Sequence, residues 1–195
     1  HTGLWPHKGV DFTGKRIAII GTGSSAVQSI PQLAKQAAHL TVFQRTPNFS
    51  IPAHNRQLEP EYVAEVKAHY SELRAANNLE AGGFGSRTER NDGSVFEASE
   101  AERAENFERK WQTGGFGFLA AFGDLLMAPE SNEFAADFVR SKIRATVKDP
   151  AVADLLCPQQ VIGCKRLCVD INYFETYNRD NVTLISVKDH PIERV

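Results

Sequence analysis

The segment GTGSSA at residues 21–26 constrains the fold of this chain more than any other stretch. It follows an apolar run, IAII at residues 17–20, that is typical of a strand buried on both faces of a parallel sheet. After it, apolar residues recur at helical spacing up to residue 37, and we expect Ser24 or Ser25 to cap this helix. Residues 39–44, HLTVFQ, predict the next strand. Strand, glycine turn, helix and strand within about thirty residues form one βαβ unit.

The pattern G-x-G-x-x-A between a strand and a helix predicts a dinucleotide site. Gly21 allows the tight turn, Gly23 lets the backbone approach a pyrophosphate, and Ala26 keeps the helix and the strand close together. The helix that follows offers free N–H groups and the positive end of its dipole to the phosphates. A purely structural glycine turn is the alternative, and the strand–turn–helix context favours the dinucleotide.

The residues that end the second strand decide between the two nicotinamide cofactors. About twenty residues beyond the glycine loop, an NAD-binding fold places Asp or Glu on the ribose 2′-hydroxyl. This chain has Gln44, Arg45 and Thr46 there. A guanidinium and a hydroxyl would bind a 2′-phosphate through charge-assisted hydrogen bonds. We therefore predict NADP(H) rather than NAD(H), the alternative being a solvated arginine at a strand end.

The middle of the chain changes to helical periodicity. Residues 59–76 and 134–147 carry apolar side chains at helical spacing, and Ser99 with Glu102 forms a capping box that opens a helix through Trp111. The glycine-rich stretch 77–94 predicts a long loop, and NVTLISV at residues 181–187 returns to strand chemistry. We therefore predict an α/β fold with a parallel sheet. A Rossmann-like NADP-binding domain would comprise residues 14–54 and 156–195, with a helical insertion at 55–155 and an inter-domain linker at 1–13.

Composition excludes several classes of function. The net charge of −2 gives no general attraction to nucleic acid or to an anionic membrane. The longest uncharged run, residues 17–34, contains Gly, Ser, Thr, Gln and Pro and does not resemble a membrane span. Cys157, Cys164 and Cys168 form no C-x2-C pair, and no histidines cluster near them. We expect inert reduced thiols in a cytoplasmic protein, with neither a disulfide framework nor a metal site.

Aromatic side chains concentrate in the middle of the chain, and we expect them to pack in a core. A substrate pocket is the alternative for this group, which comprises Trp111, Phe116, Phe118 and Phe122.

Several segments, in this order, resemble the Baeyer–Villiger monooxygenases, flavoproteins similar to cyclohexanone and phenylacetone monooxygenases. HTGLWP at residues 1–6 matches the last part of the family fingerprint F-x-G-x-x-x-H-x-x-x-W-P/D, with His1, Trp5 and Pro6 on its final three fixed positions. IGTGSSAVQ and VFQRTPNFSIPA resemble the NADP-binding segment, and GCKRLCVDINYFETYNRDNVTLI resembles the return to the sheet. The resemblance covers essentially the whole chain and is weakest over the glycine-rich loop.

The resemblance also implies roles for individual residues. Arg45 and Thr46 would meet the 2′-phosphate with help from Lys165, and Arg166 corresponds to the catalytic arginine of the family. The pyrophosphate turn and the start of its helix comprise Gly21, Thr22, Gly23, Ser24, Ser25, Ala26 and Gln28. His1 and Trp5 would lie in the segment that joins the NADP and FAD domains.

The two adjacent cations also predict an anion site independently of the family resemblance. Lys165 and Arg166 repel each other unless an anion lies nearby, so the pair suits a phosphate or a developing oxyanion. A solvated basic turn is the alternative. Asp170 would either orient Arg166 or form a plain structural ion pair.

The activity that the resemblance implies is the insertion of one oxygen atom of O2 into a ketone, giving an ester or a lactone. NADPH would reduce FAD, and Arg166 would stabilise the negative charge that develops during oxygen transfer. The family's first G-x-G-x-x-G loop, which holds FAD, is not found in these residues. We therefore expect a fragment that lacks the FAD domain of the same polypeptide and is not catalytic alone. The alternatives are a flavin monooxygenase that oxidises nitrogen or sulfur, and a non-catalytic NADP-binding module.

Overall fold

The computed structural model describes residues 2–80, 82–188 and 191–194. The strands are β1 (Arg16–Ile20), β2 (His39–Gln44), β3 (Ser50–Pro52), β4 (Cys168–Asp170) and β5 (Val182–Ser186). The helices are α1 (Ser24–Gln36), α2 (Pro60–Ala68), α3 (Tyr70–Asn78), α4 (Glu100–Thr113), α5 (Pro129–Thr146), α6 (Pro150–Leu156) and α7 (Tyr173–Thr176). Short 3-10 helices occur at Thr2–Leu4 and Gly115–Ala121. Within these residues, no helix combines the length and the apolar character that a membrane span requires.

Backbone contacts divide the chain into two compact units. One unit combines residues 1–50 with 136–195, and the other comprises residues 51–135. The domain limits predicted from the sequence, 14–54 and 156–195 around an insertion at 55–155, stay a prediction. His1, which the family fingerprint includes, lies outside the described residues.

A three-stranded parallel sheet organises the first unit. The strand order is β1-β2-β5, so β2 is central and pairs with Val182–Ser186 on its other side. In register, Ile20 lies beside Phe43, and Phe43 lies beside Ile185. The predicted βαβ unit of β1, α1 and β2 is confirmed, and the carboxyl ends of all three strands meet at one edge.

Helix α1 covers one face of this sheet. Its side chains Val27, Ile30 and Ala34 are fully buried, as the helical spacing predicts, together with Leu40 and Val42 of β2. The helix packs against β2, β4 and α7. Burial of these apolar side chains is the main source of stability for the unit.

The opposite face of the sheet is exposed, which corrects one expectation. We expected residues 17–20 to be buried on both faces, but β1 alternates between exposed and half-buried positions. Ile20 is 59% exposed and Ile185 is 37% exposed. The reason is that β1 is an edge strand of the described sheet and only one of its faces is covered by a helix.

The unit of residues 51–135 is helical, with one departure from the sequence pattern. The periodicity over residues 59–76 predicts one continuous helix, but α2 and α3 are separated at His69, whose backbone has φ −114° and ψ 24°. Neither helix contains a buried residue. Because no packed apolar face holds the two segments in line, only weak local propensity favours a continuous helix.

The start of α4 follows the sequence prediction closely. Ser99 accepts a hydrogen bond from the backbone N–H of Glu102, and the Glu102 carboxylate accepts one from the backbone N–H of Ser99. This is the predicted capping box. The helix then extends to Thr113, two residues beyond the predicted end.

The aromatic side chains of this unit form a core, as expected for most of them. Phe118 and Phe122 are buried, and both rings pack against Phe107 at centroid distances of 5.8 and 5.5 Å. Trp111 packs edge-on against Phe118 at 6.1 Å. Phe116 is the exception, because it is 49% exposed and packs against Phe84.

Candidate nucleotide-binding site

An open groove of about 450 Å³ lies at the carboxyl ends of β1 and β2. In open α/β sheets, ligands bind in the crevice outside these strand ends. Six of the residues predicted from the sequence line the groove together: Gly21, Thr22, Gly23, Arg45, Thr46 and Lys165. Lys165 comes from a segment 120 positions after Arg45 in the sequence, so the fold unites three separate parts of the chain here.

The two glycines of the loop differ in why glycine occupies the position. Gly21 has φ +99°, a left-handed conformation that side-chain-bearing residues rarely adopt, and its N–H donates to the Phe43 carbonyl oxygen at 2.7 Å. Gly23 has φ −77° and ψ 178°, which any residue can adopt. A Cβ at either position would meet nothing within 4 Å. The protein itself therefore does not demand glycine at position 23, whereas a pyrophosphate approaching the backbone would.

The amino-terminal end of α1 corrects another expectation. Gly23, not Ser24 or Ser25, is the N-cap residue, and no side chain caps the helix. Both serines lie within the helix because the extended backbone ends at Gly23.

The helix end is left open to an anion as a result. The first intrahelical hydrogen bond runs from Val27 N to Gly23 O, so the amides of Ser24, Ser25 and Ala26 have no i−4 partner within the helix. The first turn carries no acidic side chain. These three residues and the exposed Gln28 do not line the groove. For these four residues, the only feature that indicates phosphate binding is the backbone dipole at the start of the helix.

The cations of the groove are available to a ligand. Arg45, Thr46 and Lys165 are exposed. Among the described residues, no carboxylate lies within ion-pair distance of the Arg45 guanidinium or the Lys165 ammonium group. Two uncompensated positive charges and a hydroxyl around one groove suit a phosphate group.

Arg166 has a different position from its neighbour. Its exposed side chain lines a shallow crevice with Asn48, Gly163 and Lys165, and is not among the lining residues of the groove. Lys165 lines both. The structure therefore places the predicted catalytic arginine next to the residues predicted to bind phosphate and outside their groove.

Asp170 has structural partners. Its buried carboxylate accepts hydrogen bonds from Ser50 Oγ at 2.5 Å and from the Tyr173 backbone N–H at 3.0 Å, which fixes the start of α7. Arg166 forms no ion pair with any residue that the structure describes. The geometry supports a structural role for Asp170, with partners other than the expected arginine.

A set of side-chain hydrogen bonds around the groove was missed by sequence reasoning. The buried Thr22 hydroxyl lies 3.2 Å from the Thr46 carbonyl oxygen and 3.3 Å from Gln44 Oε1. Asn48 Nδ2 donates to the Thr22 carbonyl oxygen at 2.9 Å, and Gln160 Nε2 donates to the Pro47 carbonyl oxygen at 2.9 Å.

These bonds leave no local trace in the sequence. An Asn side chain commonly bonds to backbone two residues further on, but Asn48 bonds to Thr22, which lies 26 positions earlier. The partner of Gln160 lies 113 positions away.

The cysteines are unpaired and differ in exposure. Burial raises the pKa of the Cys157 and Cys168 thiols, which keeps both protonated and unreactive, as expected of packing residues. Cys164 is exposed, so a role in packing is not supported for it.

No protein-family model matches the chain. Individual proteins do. The chain is 42% identical to a phenazine N-monooxygenase of Lysobacter antibioticus, with all of this chain and 36% of the relative covered. It is 44% identical to a Baeyer–Villiger monooxygenase of Pseudooceanicola batsensis over 98% of this chain and 35% of the relative.

The chain is also similar in sequence and in fold to solved structures. An oxidised steroid monooxygenase bound to NADP superposes with a TM-score of 0.91 at 50% identity, over 98% of this chain and 36% of that one. A complex of OTEMO with FAD and NADP superposes with a TM-score of 0.92 at 41% identity, over 98% of this chain and 36% of that one. The chain spans about a third of the length of the relatives it matches. By sequence and by fold, this chain is a homologue of that part of the Baeyer–Villiger-type monooxygenases.

Proposed function

We propose that this chain is the Rossmann-like NADP(H)-binding domain of an FAD-dependent Baeyer–Villiger monooxygenase. The whole protein would insert one oxygen atom of O2 into a ketone and release an ester or a lactone. The observation that carries the proposal is the groove in which the glycine loop, Arg45, Thr46 and Lys165 meet. Residues 14–54 and 156–195 would form the domain, with residues 55–155 as its insertion and residues 1–13 as a linker.

The residues present fit a dinucleotide with a 2′-phosphate. Open space lies in front of Gly21 and Gly23, and the first amides of α1 have no capping side chain, which suits the pyrophosphate. Arg45, Thr46 and Lys165 supply the charge and the hydroxyl for the 2′-phosphate. When bound, NADPH supplies a hydride to the flavin.

Arg166 lies in the same loop as Lys165 and would act on the substrate rather than on the cofactor. Its guanidinium stays charged at any working pH and can stabilise a carbonyl oxygen that gains negative charge. Arg166 lines only the crevice, whereas Lys165 lines both the crevice and the groove. This difference supports separate roles, in which Lys165 holds the cofactor and Arg166 serves the reacting atoms.

The rest of the protein would supply what these residues lack. The solved OTEMO complex contains both FAD and NADP, and this chain covers 36% of it, which supports an FAD domain formed by other residues of the polypeptide. The three unpaired cysteines support a cytoplasmic location. The net charge of −2 supports a protein that binds neither nucleic acid nor membranes.

A second candidate function is the oxidation of a ring nitrogen. It is favoured by the 42% identity to the phenazine N-monooxygenase, which nearly equals the 44% identity to the Baeyer–Villiger enzyme. Identity therefore does not separate the two reactions. The nucleotide-binding role of this chain would be the same in both.

The reaction of the full-length protein distinguishes these candidates. Purified protein with FAD, NADPH and ¹⁸O2 would be given cyclic ketones in one series and aromatic nitrogen heterocycles and sulfides in another, with products analysed by mass spectrometry. We expect labelled lactones from the ketones. Labelled N-oxides or sulfoxides without any lactone would overturn the ketone assignment. NADPH binding without oxygenation of either series would favour a non-catalytic module.

A further inference from the structure

Three segments that are distant in the sequence bring the predicted binding residues to the groove, whose lining also includes Val187, Pro191 and Ile192. The glycine loop holds Gly21–Gly23, the segment after β2 holds Arg45 and Thr46, and the loop before β4 holds Lys165 and Arg166. Strand pairing holds the first two segments together where they leave β1 and β2, since Gly21 N donates to Phe43 O at 2.7 Å. The third segment is not part of the parallel sheet. Its carboxyl end is held by the pairing of β4 with β3, where Cys168 N donates to Phe49 O at 3.1 Å. The position of its amino end relative to Arg45 must be set by other contacts.

Two side-chain amides connect these segments through the same short stretch, Pro47 and Asn48. Asn48 Nδ2 donates to Thr22 O at 2.9 Å, which ties the stretch to the glycine loop. Gln160 Nε2 donates to Pro47 O at 2.9 Å, which ties it to the loop of Lys165. Asn48 and Gln160 both line the crevice that also contains Arg166, and both are half-buried.

We propose that Gln160 is a positioning residue for NADPH selectivity, holding the Lys165 loop against the Arg45–Thr46 segment through its bond to Pro47. The inference rests on the proposed function, since it concerns the 2′-phosphate of that cofactor. Gln160 does not contact the phosphate. Together with the β3–β4 pairing, it fixes the distance between the two cations that do.

The physical reason is the steep dependence of charge-assisted hydrogen bonds on geometry. Lys165 and Arg45 are long, exposed side chains, so ordering them around one phosphate costs side-chain entropy. A loop held in place at its base reduces that cost. NADH lacks the 2′-phosphate and depends on the glycine loop and α1, which Gln160 does not touch.

The test compares Gln160→Leu and Gln160→Asn with Gln159→Leu in the full-length protein. Leucine removes the amide, and asparagine keeps it but falls about 1.5 Å short, one carbon–carbon bond. Gln159 is the matched control because it is exposed and bonds only locally, to the Cys157 carbonyl oxygen at 3.3 Å. The readouts are the dissociation constants of NADPH and NADH by calorimetry and the kcat/KM ratio for the two cofactors.

We expect both Gln160 variants to bind NADPH about three- to tenfold more weakly, with NADH changed less than about twofold. The control should match the wild type, and melting temperatures should stay close together. Unchanged selectivity in both Gln160 variants, or an equal loss for NADPH and NADH, would overturn the positioning role. Failure of the proposed function gives a different result, because the wild-type protein itself would then not prefer NADPH.

Discussion

The side-chain amide of Asn48 donates a hydrogen bond of 2.9 Å to the backbone carbonyl oxygen of Thr22. It fastens the segment after β2 to the glycine loop of the groove. Thr22 reciprocates, since its hydroxyl lies 3.2 Å from the Thr46 carbonyl oxygen. The loop that would hold the pyrophosphate and the segment that would hold the 2′-phosphate are therefore braced as one unit.

Asn48→Leu should weaken NADPH and NADH to a similar extent. The substitution frees the glycine loop, which under the proposed function would bind the pyrophosphate common to both cofactors. We expect a loss of about 0.5 to 1.5 kcal/mol in the free energy of unfolding and a three- to tenfold rise in both dissociation constants.

Asn181→Leu is the control for the Asn48 variant. Its amide also braces backbone in this unit, donating to the Ala34 and Ala37 carbonyl oxygens at 3.0 Å, but it does not line the groove. Asn181→Leu should lower the free energy of unfolding without changing the affinity for NADPH or NADH. Chemical denaturation and calorimetric titration give both quantities, and a selective loss of NADPH alone in Asn48→Leu would contradict the bracing role.

Arg45→Ala should reduce the affinity for NADPH about ten- to a hundredfold while leaving NADH almost unchanged. A charge-assisted hydrogen bond to phosphate contributes about 1.5 to 3 kcal/mol, and Arg45 has no described carboxylate partner to lose. Arg16→Ala removes an exposed arginine at the opposite end of β1 and is the control for net charge. Equal losses for both cofactors, or no loss, would mean that Arg45 does not meet a 2′-phosphate.

Gly23→Ala should separate binding from folding. Because φ is −77° and a Cβ would meet nothing within 4 Å, we expect the free energy of unfolding to change by less than about 1 kcal/mol. Both dinucleotides should bind at least tenfold more weakly, because the methyl group would occupy the space of the pyrophosphate.

Gly21→Ala provides the contrast to the Gly23 variant. Its φ of +99° makes alanine strained, so the protein itself should lose about 1 kcal/mol or more. Thermal melting with and without NADPH measures both effects. Normal NADPH affinity in Gly23→Ala would show that the cofactor backbone does not pass this glycine.

Asp124 should make the 51–135 unit sensitive to acid. Burial raises the pKa of its carboxyl, but hydrogen bonds from Ser94 Oγ, Val95 N and Ser131 Oγ lower it more, so the folded pKa lies below the usual 3.8. The stabilisation is therefore fully present above pH 3.8 and is lost as the pH falls through the folded pKa.

Asp124→Asn tests this acid sensitivity. It should cost about 1 to 3 kcal/mol near neutral pH and flatten the pH dependence of unfolding between pH 5 and about 2. Asp92→Asn, a change at a nearby exposed carboxylate, should leave the profile as it is. Urea titrations across this pH range measure the free energy of unfolding of both variants. If the slope of this free energy against pH is the same in Asp124→Asn as in the wild type, Asp124 is not the source of the acid sensitivity.

Local patterns predicted those parts of the fold that depend on local chemistry. The strand at residues 39–44, the buried stripe of α1 and the Ser99 capping box all follow from residues within a few positions of each other. The break at His69 was missed because it depends on the absence of tertiary packing, which periodicity does not reveal. The exposed face of β1 was missed for the same reason, since an apolar run does not show which neighbours cover it.

The candidate site divides in the same way. Gly21, Gly23 and Arg45 were predicted from their positions relative to a strand and a helix, and all three line the groove. Gln160 was missed because its partner lies far away in the sequence. Long-range contacts of single side chains carry no local pattern.

The bare side of the β1-β2-β5 sheet has a practical consequence for anyone producing these residues by themselves. Ile20 and Ile185 present aliphatic surface to water beside half-buried Phe43. Such surface favours self-association at the concentrations used for crystallisation or NMR. Replacing Ile20 and Ile185 with threonine, which retains strand propensity, should keep recombinant material monodisperse, and light scattering would report the improvement.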